Sequence, residues 1–165
     1  MINYLCWDME EHRNNYEYIV GVYMKSVALR FFEKFAPECG TIAEHQKMID
    51  ANGYVYYGKM GSPVSEKNIK MLTEQEELKI LLIHSGGIER YWAYVDKITK
   101  CRPEYHEFPA YYHDIADKFT TWFRVTKIEE APKNIMSQCR VASSGAVLSE
   151  ASKHSMSPYF IIECS

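Results

Sequence analysis

Clustered aromatic side chains offer this sequence its clearest means of binding another molecule. The 165 residues include 13 Tyr, 7 Phe and 3 Trp, and many of these fall in three β-prone segments. The segments are YVYYGKM at 54–60, RYWAYVDKI at 90–98 and FTTWFRVTKI at 119–128. Neighbouring strands that carry aromatic rings can form a slot for a flat ring, a contact that contributes about 1–3 kcal/mol per nucleic-acid base. The same arrangement suits a cage for a methylated group, or a core of Tyr and Trp whose polar ends reach the surface.

Aromatic neighbours in each segment are expected to point to opposite faces of a sheet, since alternate residues of a strand share a face. In the first segment Tyr54 and Tyr56 should point to one face and Tyr57 to the other. In the second, Trp92 and Tyr94 should point away from Tyr91, and in the third, Trp122 should point away from Phe123. We expect rings from the three strands to line one shared hollow that is shaped for a planar guest.

Polar residues near these segments are candidates for contacts at the edge of such a guest. Lys59 follows Tyr57 by two residues and shares its face, and His84 and Ser85 end an apolar run. Ser143 and Ser144 belong to a Ser-rich stretch. Small hydroxyl-rich loops can donate hydrogen bonds to a base or a phosphate without a large net charge. The alternative is a set of turns with capping serines.

Common catalytic motifs are missing from the sequence. It contains no GxxxxGK[ST], GxGxxG, HExxH or GxSxG pattern. His106-Glu107 and His113-Asp114 lie seven residues apart in a Pro-containing segment, which favours a surface loop over a metal site. We therefore predict no catalytic residue, no metal and no cofactor. A nuclease or nucleotide hydrolase that uses His84, His106 or His113 is the enzymatic alternative.

The formal net charge is −3, from 19 Lys and Arg against 22 Asp and Glu. Proteins that hold nucleic acid mainly by neutralising phosphates are usually basic, so strong non-specific DNA binding is disfavoured. A basic patch in this chain would have to arise from spatial segregation of its charges.

The cysteines and the first residues suggest a cytoplasmic protein. Five cysteines are scattered along the chain without a CxxC pair, at Cys6, Cys39, Cys101, Cys139 and Cys164. Their number and spacing favour free, mostly buried thiols in a reducing cytosol. The opening residues MINYLCWDMEEHRNN do not resemble a signal peptide, and we expect no membrane span.

Hydrophobic patterns predict an α+β fold in one domain over residues 1–165. The predicted strands lie at 2–7, 54–60, 79–84, 90–98, 119–128 and 159–163, and 17–25 suits either a strand or a helix. The strands at 79–84 and 90–98 should form a hairpin, and 101–117 should form a long ordered loop. Because regular βαβ alternation is missing, we predict a small, curved antiparallel β-barrel flanked by short helices.

Capping signals place the helices. Ser26 predicts the start of a helix at 27–36, and Thr41 with Glu44 forms a capping box for a helix that Gly53 ends. Ser65 should cap a helix to about Leu72. Pro132 suits the first turn of a short helix, and residues 140–157 hold one small helix candidate.

The second half resembles the PUA-like superfamily, especially its EVE and YTH-like branch. The resemblance rests on KILLIHSGGIERYWAYVDKI, FTTWFRVTKIEEAP and SMSPYFII, and it is clearest over residues 54–163. It implies a small curved β-barrel that binds nucleic acid, and in several members a modified or flipped base occupies an aromatic pocket. It implies a pocket among Trp7, Tyr57, His84, Ser85 and Trp92.

We therefore predict a non-catalytic domain that binds DNA or RNA and accommodates a base, expected to be modified, in an aromatic pocket. The candidate binding residues are Trp7, Tyr57, Lys59, His84, Ser85, Trp92, Trp122, Ser143 and Ser144. The alternative from a different class is a small-nucleotide-binding or partner-blocking protein of phage or mobile-element type.

Overall fold

A computed structural model describes residues 23–165. The predicted strand at 2–7, most of the segment at 17–25 and the candidate residue Trp7 lie outside the described residues. Among residues 23–165, no helix has the length and apolar character needed to cross a membrane.

Seven strands and four short α-helices form the described chain. The strands are β1 (Met24–Phe31), β2 (Val55–Met60), β3 (Lys79–His84), β4 (Arg90–Thr99), β5 (Phe119–Glu130), β6 (Cys139–Val141) and β7 (Tyr159–Cys164). The helices are α1 (Thr41–Asn52), α2 (Glu66–Thr73), α3 (Ile135–Gln138) and α4 (Leu148–His154). The long loop at 101–117 contains only short 3-10 turns, as expected.

One mixed sheet contains all seven strands in the order β2-β5-β4-β3-β1-β7-β6. Every neighbouring pair is antiparallel except β1 and β3, which run parallel. The sheet curls into a half-barrel. The curl brings Lys59 on the first strand of the order into contact with Tyr159 on the sixth. The predicted α+β class with a curved, barrel-like sheet is confirmed, and the parallel pair is the departure from a purely antiparallel arrangement.

The two faces of the sheet hold separate parts of the core. One face carries Val27, Tyr57 and Phe123 and packs against α1 and α2. The other face carries two clusters, one around Trp92 beneath α3 and α4, and one around Trp122 beneath the loop at 101–117. The predicted alternation of aromatic directions along β2, β4 and β5 is therefore confirmed.

The predicted helix at 27–36 is wrong, because this segment continues β1 to Phe31 and then makes a 3-10 turn at Glu33–Phe35. The strand pairs with β7 over residues 24–29 and with β3 over residues 28–31, so sheet hydrogen bonds hold this segment as a strand. The apolar residues of this segment fit the two-residue period of a strand and also the apolar side of a helix, so the sequence pattern alone does not distinguish the two. Ser26, expected to cap a helix, instead donates its hydroxyl hydrogen bond to the Lys79 carbonyl at 2.5 Å.

Two of the predicted helix ends are confirmed and one capping motif is wrong. Ser65 accepts a hydrogen bond from the Asn68 amide and caps α2, and Gly53 ends α1 with a left-handed φ of 85°. The predicted capping box at the start of α1 does not form. The carboxylate of Glu33 accepts from the Thr41 amide at 2.9 Å instead, so a residue from the preceding turn supplies the cap. Pro132 lies before α3 rather than in its first turn.

The prediction that all the cysteines are free thiols is wrong, because Cys139 and Cys164 form a disulfide. These two residues lie directly opposite each other on β6 and β7. Strand β6 has only three residues and was not predicted, so no sequence pattern indicated that the two thiols lie together. Cys39 and Cys101 are free and exposed.

Candidate functional site

A pocket fills the gap between the edge strand β2 and strand β1, where the curled sheet does not close. It has a cavity of about 110 Å³, and we call it the edge pocket. Its walls come from β1 and the turn after it, from β2, from the loop before β5 and from the residue before β7. The lining residues are Leu29, Arg30, Phe31, Phe32, Phe35, Thr41, Tyr57, Gly58, Lys59, Met60, Tyr111, Tyr112, Ile115, Phe119 and Pro158.

Aromatic rings make up almost half of this lining. Phe31, Tyr57 and Tyr112 are buried in its walls, whereas Phe32 and Phe35 are 57% and 44% exposed. The exposed pair therefore places apolar rings at the mouth of the edge pocket. A dry cavity of roughly 150 Å³ is known to take a benzene ring. The edge pocket, at about 110 Å³, is smaller, so a planar ring bound there would extend into the mouth between Phe32 and Phe35.

The phenols of the edge pocket stay neutral at physiological pH. Burial raises the pKa of Tyr111 to about 12, and it also raises the pKa values of Tyr57 and Tyr112. A neutral phenol can both donate and accept a hydrogen bond. These side chains can therefore hydrogen-bond to the edge of a polar ring without adding negative charge to the site.

Two cations, Arg30 and Lys59, line the edge pocket, and Lys59 is the buried one. The residue is only 5% exposed, and its Nζ donates to the carbonyl oxygens of Met60 and Ser62. The same Nζ lies 4.2 Å from the centroid of the Tyr159 ring. Desolvation lowers its pKa. The ammonium group is thus fixed in place by β2, by the turn that follows it and by β7.

His45 of α1 lies behind the pocket wall, in contact with its tyrosines. Its ring centroid is 5.3 Å from those of both Tyr57 and Tyr112. Nδ1 donates to the Thr41 carbonyl at 2.8 Å, whereas the buried Nε2 has no partner among the described residues. Burial lowers the pKa of His45 to about 4. The imidazole is therefore neutral at physiological pH and supports the wall as an aromatic residue.

Gly58 permits the close approach that forms another wall. A Cβ atom at this position would lie 2.6 Å from the Phe119 ring, which is closer than real contacts allow. The Phe119 ring also packs against Tyr112 and Trp122 at centroid distances of 4.5 and 5.0 Å. The absence of a side chain at Gly58 thus lets the Phe119 ring at the start of β5 pack against the edge strand.

A second, more open cavity lies on the other side of Phe31, and we call it the acidic groove. It has a volume of about 460 Å³, and its lining includes Glu33, Glu89, Glu129 and Glu130 but no Lys or Arg. No carboxylate lines the edge pocket. The charges of this acidic chain are therefore segregated between two adjacent cavities, and an anionic guest is favoured in the edge pocket and disfavoured in the groove.

His84, one of the predicted binding residues, lies in the acidic groove. Its ring stacks on Phe31 at a centroid distance of 5.0 Å, and Nδ1 lies 2.7 Å from a carboxylate oxygen of Glu89. The next residue, Ser85, donates its backbone amide to the Phe31 carbonyl at 2.9 Å. Neither residue lines the edge pocket.

Of the other predicted binding residues, Tyr57 and Lys59 meet in the edge pocket and the rest lie elsewhere. Trp92 and Trp122 are 4% and 0% exposed and belong to separate core clusters. Ser143 and Ser144 lie in the exposed turn after β6. Trp7 is outside the described residues. The three aromatic strands therefore do not line one shared hollow.

Strand register explains why the tryptophans are apart. Trp92 lies near the start of β4 and pairs with Glu129 near the end of β5. Trp122 lies near the start of β5, seven residues from Glu129, or roughly 23 Å at about 3.3 Å per residue. Antiparallel pairing thus places these two indoles at opposite ends of the β4–β5 pair.

The histidines considered for a metal site hold no such arrangement in the described chain. His113 Nε2 lies 3.0 Å from the Tyr105 carbonyl, and His106 Nδ1 lies 3.4 Å from a carboxylate oxygen of Glu104. Within residues 23–165, no group of three or more His, Cys, Asp or Glu side chains is placed to hold a metal ion.

Several pocket residues were missed from the sequence. Phe31, Phe32 and Phe35 lie in the segment predicted as a helix, and Tyr111 and Tyr112 lie in the predicted long loop. The adjacent tyrosines after Pro109 were the available signal, since two aromatic residues in a loop need a surface to pack against.

Comparison with known proteins gives one match. A family model described as Pua-like matches residues 27–157. No curated protein and no solved structure matches the chain. The matched span contains every residue that lines the edge pocket except Pro158.

Proposed function

The chain belongs to the PUA-like family, and on that premise we propose that it is a non-catalytic nucleic-acid-binding domain that accommodates one base in the edge pocket. The observation that carries the proposal is the pocket itself. It joins aromatic walls, neutral phenols and one buried ammonium group at the open side of the curled sheet.

An aromatic pocket can offset the free energy needed to take a base out of a stack. Extracting a base from a stack costs a few kcal/mol, and base–aromatic stacking contributes about 1–3 kcal/mol. Phe32 and Phe35 at the mouth can contact a base that enters, and Tyr57 and Tyr111 can hydrogen-bond to its edge. Stacking and edge contacts together can therefore offset the cost of extraction.

Charge segregation supports the choice of this cavity over the acidic groove. A nucleic acid carries negative charge along its backbone, and four glutamates in the groove would repel it. The edge pocket has Lys59 and no carboxylate in its lining. We propose that the guest base is a modified one, since a ring substituent can add contacts to the lining of the edge pocket that an unmodified base does not make.

Oligonucleotide titration at low salt tests the proposal, with a panel of unmodified and modified bases. Removal of a stacking ring by Phe35→Ala should weaken binding by about 5- to 150-fold. It should leave the fold intact, since Phe35 is 44% exposed. Ile88→Ala is the matched control, because Ile88 is 91% exposed and outside the pocket. Failure to bind any oligonucleotide in the panel would rule the proposal out.

A free nucleotide is the second candidate guest. The formal charge of −3 and the acidic groove beside the edge pocket oppose a long polyanion more than a small one. A protein with this function would sequester a nucleotide or block a partner. A rise in melting temperature with free nucleotides but not with polynucleotides would favour this candidate.

A further inference from the structure

Lys59 carries a positive charge that no carboxylate of the described chain compensates. Its pKa is lowered by desolvation alone, with no contribution from a neighbouring acid. The residue is 5% exposed, so water compensates little of the cost of burying the charge. Buried ammonium groups are normally paired with an anion. The bare protein therefore lacks the partner that this group would ordinarily have.

The hydrogen bonds of Lys59 leave room for such a partner. An ammonium group has three N–H donors, and two of them go to the carbonyl oxygens of Met60 and Ser62. The Tyr159 ring interacts with the charge but accepts no conventional hydrogen bond. One donor remains, on a side chain that lines the edge pocket.

We propose that the edge pocket selects a pyrimidine-sized base that carries a carboxylate on its ring, and that a carboxylate oxygen accepts a hydrogen bond from Lys59 Nζ. This inference rests on the proposed function, since it assumes that a base enters the pocket. It adds the chemical class of the modification and the residue that recognises it.

A ring-borne acid fits the site better than a backbone phosphate. The mouth of the edge pocket is formed by exposed residues such as Phe32, whereas Lys59 is buried. A phosphate stays with the sugar backbone outside, and a substituent on the ring travels inward with the base. The neighbouring cation Arg30 uses its Nε and Nη2 to donate to the backbone carbonyls of Ser152, Ser155 and Ser157. Lys59 is the more deeply buried of the two cations and keeps one donor.

The experiment compares two short single-stranded DNA oligonucleotides that differ at one base. One contains a single 5-carboxycytosine and the other a single 5-methylcytosine at the same position. Dissociation constants are measured for the wild-type protein, for Lys59→Met and for Lys67→Met. The last variant is the control, since it removes an equal charge from an exposed position of α2.

The wild-type protein should bind the carboxylated oligonucleotide at least about tenfold more tightly, as expected for a hydrogen bond between charged groups. Lys59→Met should abolish this preference, whereas Lys67→Met should retain it. If Lys59→Met does not fold, Lys59→Gln takes its place, and the wild-type ratio is informative without either variant.

Two different failures can be distinguished. If the wild-type protein binds both oligonucleotides equally well, base binding stands and the assignment of a carboxylate is wrong. The assignment is also wrong if Lys59→Met keeps the preference. If neither oligonucleotide binds at low salt and the rest of the base panel also fails, the proposed function itself is wrong.

Discussion

Lys59 Nζ lies 4.2 Å from the centroid of the Tyr159 ring, although the two residues belong to strands that are first and sixth in the sheet order. A flat sheet would keep these strands about 24 Å apart, at roughly 4.8 Å per strand. The contact therefore marks the place where the curled sheet approaches itself. The same contact holds the ammonium group of Lys59 beside the edge pocket. One interaction therefore stabilises the curl of the half-barrel and positions a cation of the pocket.

The first prediction concerns the strength of this contact. Replacement of Tyr159 by Leu removes the ring face and should lower the free energy of unfolding by about 1 kcal/mol through the lost cation–π interaction, in addition to any loss of packing. Tyr159→Phe keeps a ring face and should cost less. Urea denaturation of Tyr159→Leu, Lys59→Met and the double variant isolates the coupling between the two side chains. Strict additivity of the two single changes would show that the contact contributes nothing.

The second prediction concerns the approach of Phe119 to the edge strand. A Cβ at position 58 would lie 2.6 Å from the Phe119 ring. Gly58→Ala should therefore force that ring to move and destabilise the protein by about 1–3 kcal/mol, as overpacking does elsewhere. Thermal or chemical unfolding measures the loss.

Rescue is the control for this second prediction. A smaller side chain in Phe119→Leu makes room for the added methyl group, so Gly58→Ala should cost less in that background. If Gly58→Ala is equally harmful with Leu at position 119, backbone freedom rather than ring contact is the reason for the glycine.

Local patterns were sufficient to predict most of the strands. The apolar run of β3 and the alternating residues of β4 and β5 occur where they were expected. Ser65 and Gly53 were identified correctly because capping depends on residues that are close in sequence. The segment after Ser26 fits both a helix and a strand. It forms a strand because β3 and β7 pair with it on its two sides.

The candidate site was only partly predictable because it depends on how distant segments meet. Tyr57 and Lys59 were identified since they share a face of one strand. Phe31 and Tyr112 reach the same pocket only because the sheet curls and the loop before β5 folds over its edge. The tryptophans were placed wrongly in one hollow because strand register, which separates Trp92 from Trp122, is not visible in either segment alone.

The third prediction concerns the disulfide between β6 and β7. Cys139 and Cys164 are separated by 25 positions and both are buried. Closing a loop of this length should contribute about 3 kcal/mol of stability by restricting the unfolded chain. Unfolding measured with and without a reductant should show this difference, and the Cys139→Ser and Cys164→Ser double variant should resemble the reduced protein.

Cys101→Ser is the control for the disulfide, because Cys101 is free and exposed. It should change the free energy of unfolding by no more than about 0.5 kcal/mol. Equal stability of the oxidised and reduced wild-type protein would contradict the prediction.

The fourth prediction concerns the acid sensitivity caused by His45. Burial lowers its pKa to about 4 in the folded protein, against a reference value of 6.5. The hydrogen bond to the Thr41 carbonyl and the nearby Glu44 carboxylate only partly oppose this shift. Between these two pH values the unfolded chain binds a proton that the folded protein does not. Lower pH therefore favours unfolding. The contribution of neutral His45 is fully present above pH 6.5 and should fall by about 3 kcal/mol as the pH approaches 4.

His45→Phe tests this acid sensitivity, because phenylalanine keeps an aromatic ring against Tyr57 and Tyr112 and has no titrating group. The free energies of unfolding of the variant and the wild-type protein should be compared at several pH values between 7 and 4. Their difference should change in favour of the variant as the pH falls, whereas a variant at the exposed His106, such as His106→Gln, should follow the wild-type protein. A constant difference across this range would mean that His45 titrates alike in the folded and unfolded chains, and that the wall behind the edge pocket admits water.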